Sequence, residues 1–330
     1  MSTPSDPALL AAEIAAWLAA RGRAARSIEV LAGDVSARRY TRVEWADGTS
    51  AIAARYPAEL AAAQLRFESA GRLLAAAGVR VPRSLDCDPR SGVSLVEDLG
   101  PLTLYDLAPR GWGALEPYFE SALEALARVR GLEPAAVDAL GSPPLDAALL
   151  ARELAQTERL FLRPRGLVDD GADGRRFLAA LAELCSRLGA EPPVVCHRDF
   201  MARNLVPLGA GAVAVLDFQD LRRGPPDYDL ASLLNDSLFP PPAVEARLLA
   251  RATGAAAPAP GYLRAVAQRG LKAVGTFAAF AARGEDRHLP LIAPTLARAT
   301  RALARLPETA EAFERLAPRF RTQLPEGAIC

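Results

Sequence analysis

Three oxygen-bearing side chains, Asp199, Asn204 and Asp217, each fall at or just beyond the end of a short apolar run. The run VVC leads into His197-Arg198-Asp199, Asn204 follows that Asp by five residues, and the next run, AVAVL, ends at Asp217. A carboxylate just past a buried strand lies on a loop, partly desolvated but reachable. An amide five residues on can turn back to the same point, and a carboxylate at an adjacent strand end can meet it there. Few hard oxygen ligands, with no His or Cys among them, suit Mg²⁺ rather than zinc. Mg²⁺ retains waters and shares its sphere with phosphates, so Asn204 and Asp217 would suffice for a metal held jointly with a nucleotide. Asp199 is then left to accept a proton from a substrate hydroxyl. His197 reads as a structural residue that props the loop by hydrogen bonds.

The elements that must position these groups divide the chain of 330 residues into two parts. That length exceeds one compact core of ordinary size and predicts two lobes. The start, PSDPALLAAEIAAWLAARGR, is a capped amphipathic helix opening at Asp6-Pro7 and ending near Gly22. Strands are expected at Val30-Leu31, from Arg39 to Trp45 and from Ser50 to Arg55, with Asp47-Gly48 as a hairpin turn. A helix from Gln64 to Ala77 stops at Gly78, and VRVPRSLDCD with SGVSLVEDLG forms a strand pair. Beyond Pro101, Ala/Leu helices dominate, near residues 114–130, 147–161 and 174–189. The expected fold class is α+β and bilobal: a β-rich N-terminal lobe with one main helix, residues 1–98, and a larger helical lobe, residues 99–330. The Pro/Ala/Gly-rich stretch between Pro240 and Pro260 reads as a surface loop bracketing a short helix.

Composition narrows the partners. Lys plus Arg number 39 and Asp plus Glu 39, so bulk charge points to neither nucleic acid nor a membrane surface. No run approaches the ~18 apolar residues of a membrane span. The four cysteines lack CxxC spacing and read as free thiols in a reducing cytoplasm. The expected partner is a small molecule, with no nucleic acid, membrane or protein partner.

HRDFMARN followed by LDFQ reproduces the protein-kinase set of catalytic-loop Asp, Asn five residues later and metal-binding Asp, with Gln219 in the Gly position of DFG. Together with GPPDYDLASLL, these residues resemble the aminoglycoside phosphotransferase superfamily, small-molecule kinases of protein-kinase-like fold. DVSARRYTRV, VEDLG, HRDFMARNLV, VLDFQDLRRGPPDYDLASLLND and QRGLKAVGTF look most like its bacterial kinases that phosphorylate the anomeric hydroxyl of N-acetylmuramate and N-acetylglucosamine in cell-wall recycling. The resemblance implies ATP and Mg²⁺ as cofactors, a bracing role for Asp229 and adenine binding along Glu97 to Leu99.

The chain also departs from that pattern. The first hairpin has Gly33 but no GxGxxG, so phosphate contact would rest on Ser36, backbone N–H groups or an Arg such as Arg38. The strand Ser50–Arg55 has no Lys. Arg55 is the stand-in or a solvated surface residue, and Glu68 either pairs with it or is an exposed helical Glu. Asp220 and Asp236 could hydrogen-bond sugar hydroxyls. Arg203, among the basic residues near the loop in sequence, is a further candidate for substrate binding. Arg269, Lys272 and Thr276 form one polar stripe of a late helix, facing either an acceptor carboxylate or solvent. Two rival functions remain: an aminoglycoside or other small-alcohol kinase, and a catalytically inactive nucleotide-binding regulatory module.

Overall fold

The computed structural model describes residues 6–31, 37–255 and 257–324. Ser36 and Gly33 lie outside the described residues. The chain divides into two compact units: one runs up to residue 101 and includes Ala214–Gln219, the other holds Leu102–Val213 and the chain from Asp220 on.

Unit 1 opens with helix α1 (Pro7–Ala19), capped where Asp6 accepts from the Ala8 N–H at 2.9 Å. Its sheet contains β1 (Ser27–Val30), β2 (Arg39–Glu44), β3 (Ser50–Arg55), β4 (Ser84–Asp88) and β5 (Val93–Glu97) in the spatial order β1-β2-β3-β5-β4, with every neighbouring pair antiparallel. The first strand lies earlier than the apolar pair Val30-Leu31 suggests, because Ser27 to Val30 find partners along β2. The β2–β3 turn is closed by Asp47, which accepts from the Thr49 N–H and hydroxyl, with Gly48 at φ 83° where a left-handed residue is needed. Alternation along the strands gives each face its own helix. Val43, Ala51, Ala53, Val93 and Leu95 meet Leu10, Ile14, Trp17 and Leu18 of α1. On the opposite parity of β5, Ser94 bonds to Gln64 and Glu68 of helix α2 (Ala61–Ala76).

Unit 2 is mainly helical: α3 (Trp112–Arg130), α4 (Pro134–Asp138), α5 (Ala147–Thr157) and α6 (Ala172–Gly189) precede its short strands. These are β6 (Val194–Cys196), β7 (Leu205–Pro207), β8 (Val213–Val215), whose last two residues pass into unit 1, and β9 (Arg222–Gly224). Then follow α7 (Tyr228–Asn235), α8 (Pro242–Thr253), α9 (Pro260–Ala281), α10 (Leu289–Leu303) and α11 (Ala310–Arg321). α9 is buried along nearly its whole length and packs against α5, α7 and α10. Gly275 permits the close approach to α5, since a Cβ there would come within 2.2 Å of Thr157 Oγ1 and 2.8 Å of its Cα. Among the described residues Cys87, Cys185 and Cys196 are free, and no helix is long and apolar enough to cross a membrane.

Candidate active site

β6 pairs antiparallel with β9, Val195 opposite Arg223, and delivers the chain to the His197-Arg198-Asp199 turn. Asp229, buried in the first turn of α7, accepts from the backbone N–H groups of His197 at 2.6 Å and Arg198 at 2.8 Å. Burial pushes the Asp229 carboxyl up, opposed by His197 and by those two N–H groups. The two bonds hold Arg198 at φ 81°, a left-handed conformation that a non-glycine residue keeps only when its surroundings dictate it. His197 is fully buried with its ring edge against Phe200. From the far side of the loop, Asn204 Nδ2 donates to the Asp199 carbonyl at 2.8 Å. That bond fixes the amide plane and leaves the Asn204 side-chain oxygen as its acceptor.

Three cations surround the Asp199 carboxylate. Arg269 Nη1 is 3.4 Å from Oδ1, Lys272 Nζ is 3.6 Å from the same oxygen, and Arg198 precedes it in the chain. Burial alone would raise the Asp199 pKa, but Lys272, Arg269 and Arg198 outweigh it and hold the carboxyl well below the usual carboxylate range. The two α9 cations are anchored differently. Arg269, its side chain 5 % exposed, also reaches Asp236 Oδ2 at 3.2 Å and donates to the Arg198 carbonyl at 3.1 Å. Lys272, 18 % exposed, has the Asp199 contact as its ion pair. Asp236 also accepts from Ser237 Oγ at 2.6 Å, and Ser237 accepts from Arg203 Nε at 3.1 Å. The Arg203 guanidinium lies 3.7 Å over the Tyr105 ring. Arg198 spans Glu153 at 3.2 Å and Asp220 at 3.1 Å, and Gln268 also donates to Glu153. Unit 2 thus brings Asp199, Asn204, Asp220, Asp236, Arg269 and Lys272 into one polar network, with Arg203 at its edge.

In unit 1, Asp217 stands at φ 58° and accepts from Arg38 Nη2 at 3.1 Å and Gln219 Nε2 at 2.9 Å. Phe218 is fully buried, stacked on Phe67 of α2 at 4.7 Å, and its ring would sit 3.3 Å from a Cβ at Gly71. The Phe side chain therefore anchors the segment that presents Asp217. Arg55 and Glu68 are not paired: Arg55 binds Glu13 of α1 at 2.6 Å and the Tyr56 carbonyl, whereas Glu68 is buried and accepts from Ser94 at 3.0 Å. The reason is register. Arg55 ends β3 opposite Arg39, and its side chain runs to α1, away from the polar cluster on α2. The alternative of an exposed Glu68 is also set aside. Glu97 accepts from Arg80 at 2.7 Å and from the Arg83 N–H at 3.1 Å, and Leu99 is half-buried.

Each unit offers a hard oxygen donor of the kind Mg²⁺ takes: Asp217, paired with the Arg38 guanidinium, in unit 1, and Asn204, its amide oxygen fixed, in unit 2.

Several residues of these networks escape a reading of motifs. Glu153 takes both Arg198 and Gln268, and Asp98 takes Arg42 at 2.6 Å and Ser50 at 2.9 Å. Glu153 had a signal, since it falls in the buried stripe of Leu150, Leu154 and Thr157, where an acid needs a partner. Asp98 had none beyond its place beside Glu97.

An antiparallel sheet with a helix on either face, followed by a helical unit bearing the Asp199 loop, is the α+β protein-kinase-like fold. A GDP complex of aminoglycoside 2'-phosphotransferase-IIIa superimposes with TM-score 0.64 over 96 % of this chain and 99 % of that one, at 14 % identity. Residues 27–266 match the profile of the phosphotransferase enzyme family, and the chain belongs to that family and is a phosphotransferase. It is 36 % identical over 311 residues to an N-acetylmuramate/N-acetylglucosamine kinase of Pseudomonas aeruginosa, covering 89 % of this chain and 88 % of that protein. A Pseudomonas putida protein of the same name is 31 % identical over 308 residues, again covering 89 % and 88 %.

Proposed function

We propose that the protein is an ATP-dependent amino-sugar kinase that transfers the γ-phosphoryl group to the anomeric C1 hydroxyl of N-acetylmuramate, N-acetylglucosamine or both, in the recovery of cell-wall sugars. The observation that carries this reading is the 36 % identity to the Pseudomonas aeruginosa kinase across nearly the whole of both chains. Asp199 orients the acceptor hydroxyl and takes its proton. The surrounding cations keep it ionised at neutral pH. Asp229 and Asn204 hold the Asp199 loop from either side. Asn204 and Asp217 bind Mg²⁺, which when bound neutralises charge on the nucleotide phosphates. Arg38, the cation beside Asp217, takes the phosphate contact that a lysine of the third strand makes in protein kinases. Glu97 to Leu99 provide the adenine contacts, and Asp220 and Asp236 border the sugar.

A polycationic antibiotic would meet Arg269, Lys272 and Arg198 around Asp199, so the aminoglycoside reading is disfavoured. The test is magnesium-dependent ADP release with N-acetylglucosamine and N-acetylmuramate, set against kanamycin and choline. ADP release with the amino sugars and none with their methyl 1-glycosides is the expected result. Faster turnover of kanamycin or choline, or turnover of a C1-blocked sugar, would sink the reading.

A further inference from the structure

Asp199 poses a problem for its own chemistry. A base that must accept a proton is weakened by each positive charge beside it, and two side-chain ammonium or guanidinium groups share its Oδ1. One of the two has a structural reason to be there: Arg269 is buried, bridges to Asp236 and ties down the Arg198 carbonyl. Lys272, one turn further along α9, does none of this. Its side chain is more exposed, and its ion pair is Asp199 itself. Deep side-chain anchoring marks a positioning group, whereas a single soft contact marks a group able to change partner.

We propose that Lys272 is a catalytic residue whose ammonium pairs with Asp199 before transfer and with the transferring phosphoryl group during it. This rests on the phosphoryl-transfer reading above and assigns the residue to the phosphate rather than to a carboxylate on the sugar. The balance of the step drives the exchange. The acceptor O–H bond breaks and its proton passes to an Asp199 oxygen. The acceptor oxygen forms a bond to the γ-phosphorus, and the bond from that phosphorus to the β,γ-bridging oxygen breaks, its electron pair leaving on ADP. Once protonated, Asp199 is neutral and no longer attracts Lys272. The phosphoryl group, now bonded through phosphorus to the oxygen that Asp199 had deprotonated, carries the negative charge instead. An ammonium 3.6 Å from that carboxylate on a flexible four-carbon stem reaches them with a small side-chain movement. The cost to the base is thereby removed as the proton arrives.

The experiment compares wild type with Lys272→Met and Lys272→Arg on two acceptors that differ by a carboxylate, N-acetylglucosamine and N-acetylmuramate. Calorimetry of each protein with N-acetylglucosamine and its 1-phosphate, without nucleotide or metal, gives a readout independent of turnover. Lys272→Met should lower kcat by about 10²–10³-fold on both sugars alike. It should weaken binding of the 1-phosphate at least tenfold while leaving the unphosphorylated sugar unchanged, and Lys272→Arg should recover part of both. A defect confined to KM for N-acetylmuramate would overturn the proposal in favour of carboxylate recognition. Unchanged 1-phosphate binding, with only the acid limb of the rate profile moved to higher pH, would overturn it in favour of a positioning role. Wild-type protein that turns over neither sugar would instead overturn the acceptor reading, and this inference with it.

Discussion

In the proposed mechanism Asp199 carries the greatest chemical weight of any single residue. Replacing it with Asn removes the base while keeping its shape, and turnover should fall by about 10²–10⁴-fold with nucleotide binding retained, as read by ADP release and by nucleotide titration. Its depressed pKa also sets the sign of a pH effect. A carboxyl held below its unfolded value near ~3.9 stabilises the fold above that pH and loses the contribution as pH falls toward the folded value. The melting temperature of Asp199→Asn should therefore lie below wild type at pH 7, with the gap closing under acid; a gap constant from pH 7 to 3 would contradict the assignment. Arg38 and Arg55 make a second pair of predictions. Arg38→Met should weaken nucleotide binding by more than about tenfold, because a lost charge-assisted contact costs roughly 1.5–3 kcal/mol, and Arg55→Met should barely change it. Titration with ATP distinguishes them. The loop was legible because HRD and Asn204 lie within one short stretch, and Asn204 does turn back to the Asp199 carbonyl. The choice between Arg38 and Arg55 was not, since both are strand-associated arginines and only the β2–β3 register sends Arg55 toward Glu13.

At the scale of elements, the site depends on where strands stop and how closely helices pack. Asp229 is one α7 side chain bonded to two consecutive backbone N–H groups of the catalytic turn. Asp229→Ala would strand both in a buried place, at about 1–3 kcal/mol each. Lower melting temperature and lost turnover should appear together, with Asp229→Asn intermediate in both. α9 carries Gln268, Arg269 and Lys272, and its distance from α5 is set at Gly275. Gly275→Ala would press a methyl into Thr157 and cost about 1–3 kcal/mol, measured by denaturant midpoint. The hairpin, α2 and the long helices were readable from turn chemistry and apolar period. The polar stripe of α9 was ambiguous because amphipathicity assumes a solvent face, and this helix has almost none. Its charged residues are there to serve other elements, which periodicity cannot reveal.

At the scale of the whole molecule, phosphoryl transfer with a metal predicts that chelation with EDTA abolishes ADP release and that added Mg²⁺ restores it, a result checked in the same coupled assay. The α+β, bilobal character was visible in the change from short strand patterns to long Ala/Leu helices. The return of Ala214–Gln219 to unit 1 was not, because six residues of strand and turn look alike wherever they belong. That return has a consequence for biosynthesis. The Val215 N–H bonds to the Arg80 carbonyl, Asp217 takes Arg38, and Phe218 covers Phe67 and Gly71. Val215, Asp217 and Phe218 have not been made when residue 101 leaves the ribosome. The nascent N-terminal unit waits, with the Phe67 face of α2 uncovered, until the whole of the helical unit's first stretch, Leu102–Val213, has been translated. A nascent chain arrested after residue 101 should be cleaved readily by protease around α2, and one arrested after enough length to free residue 219 should resist.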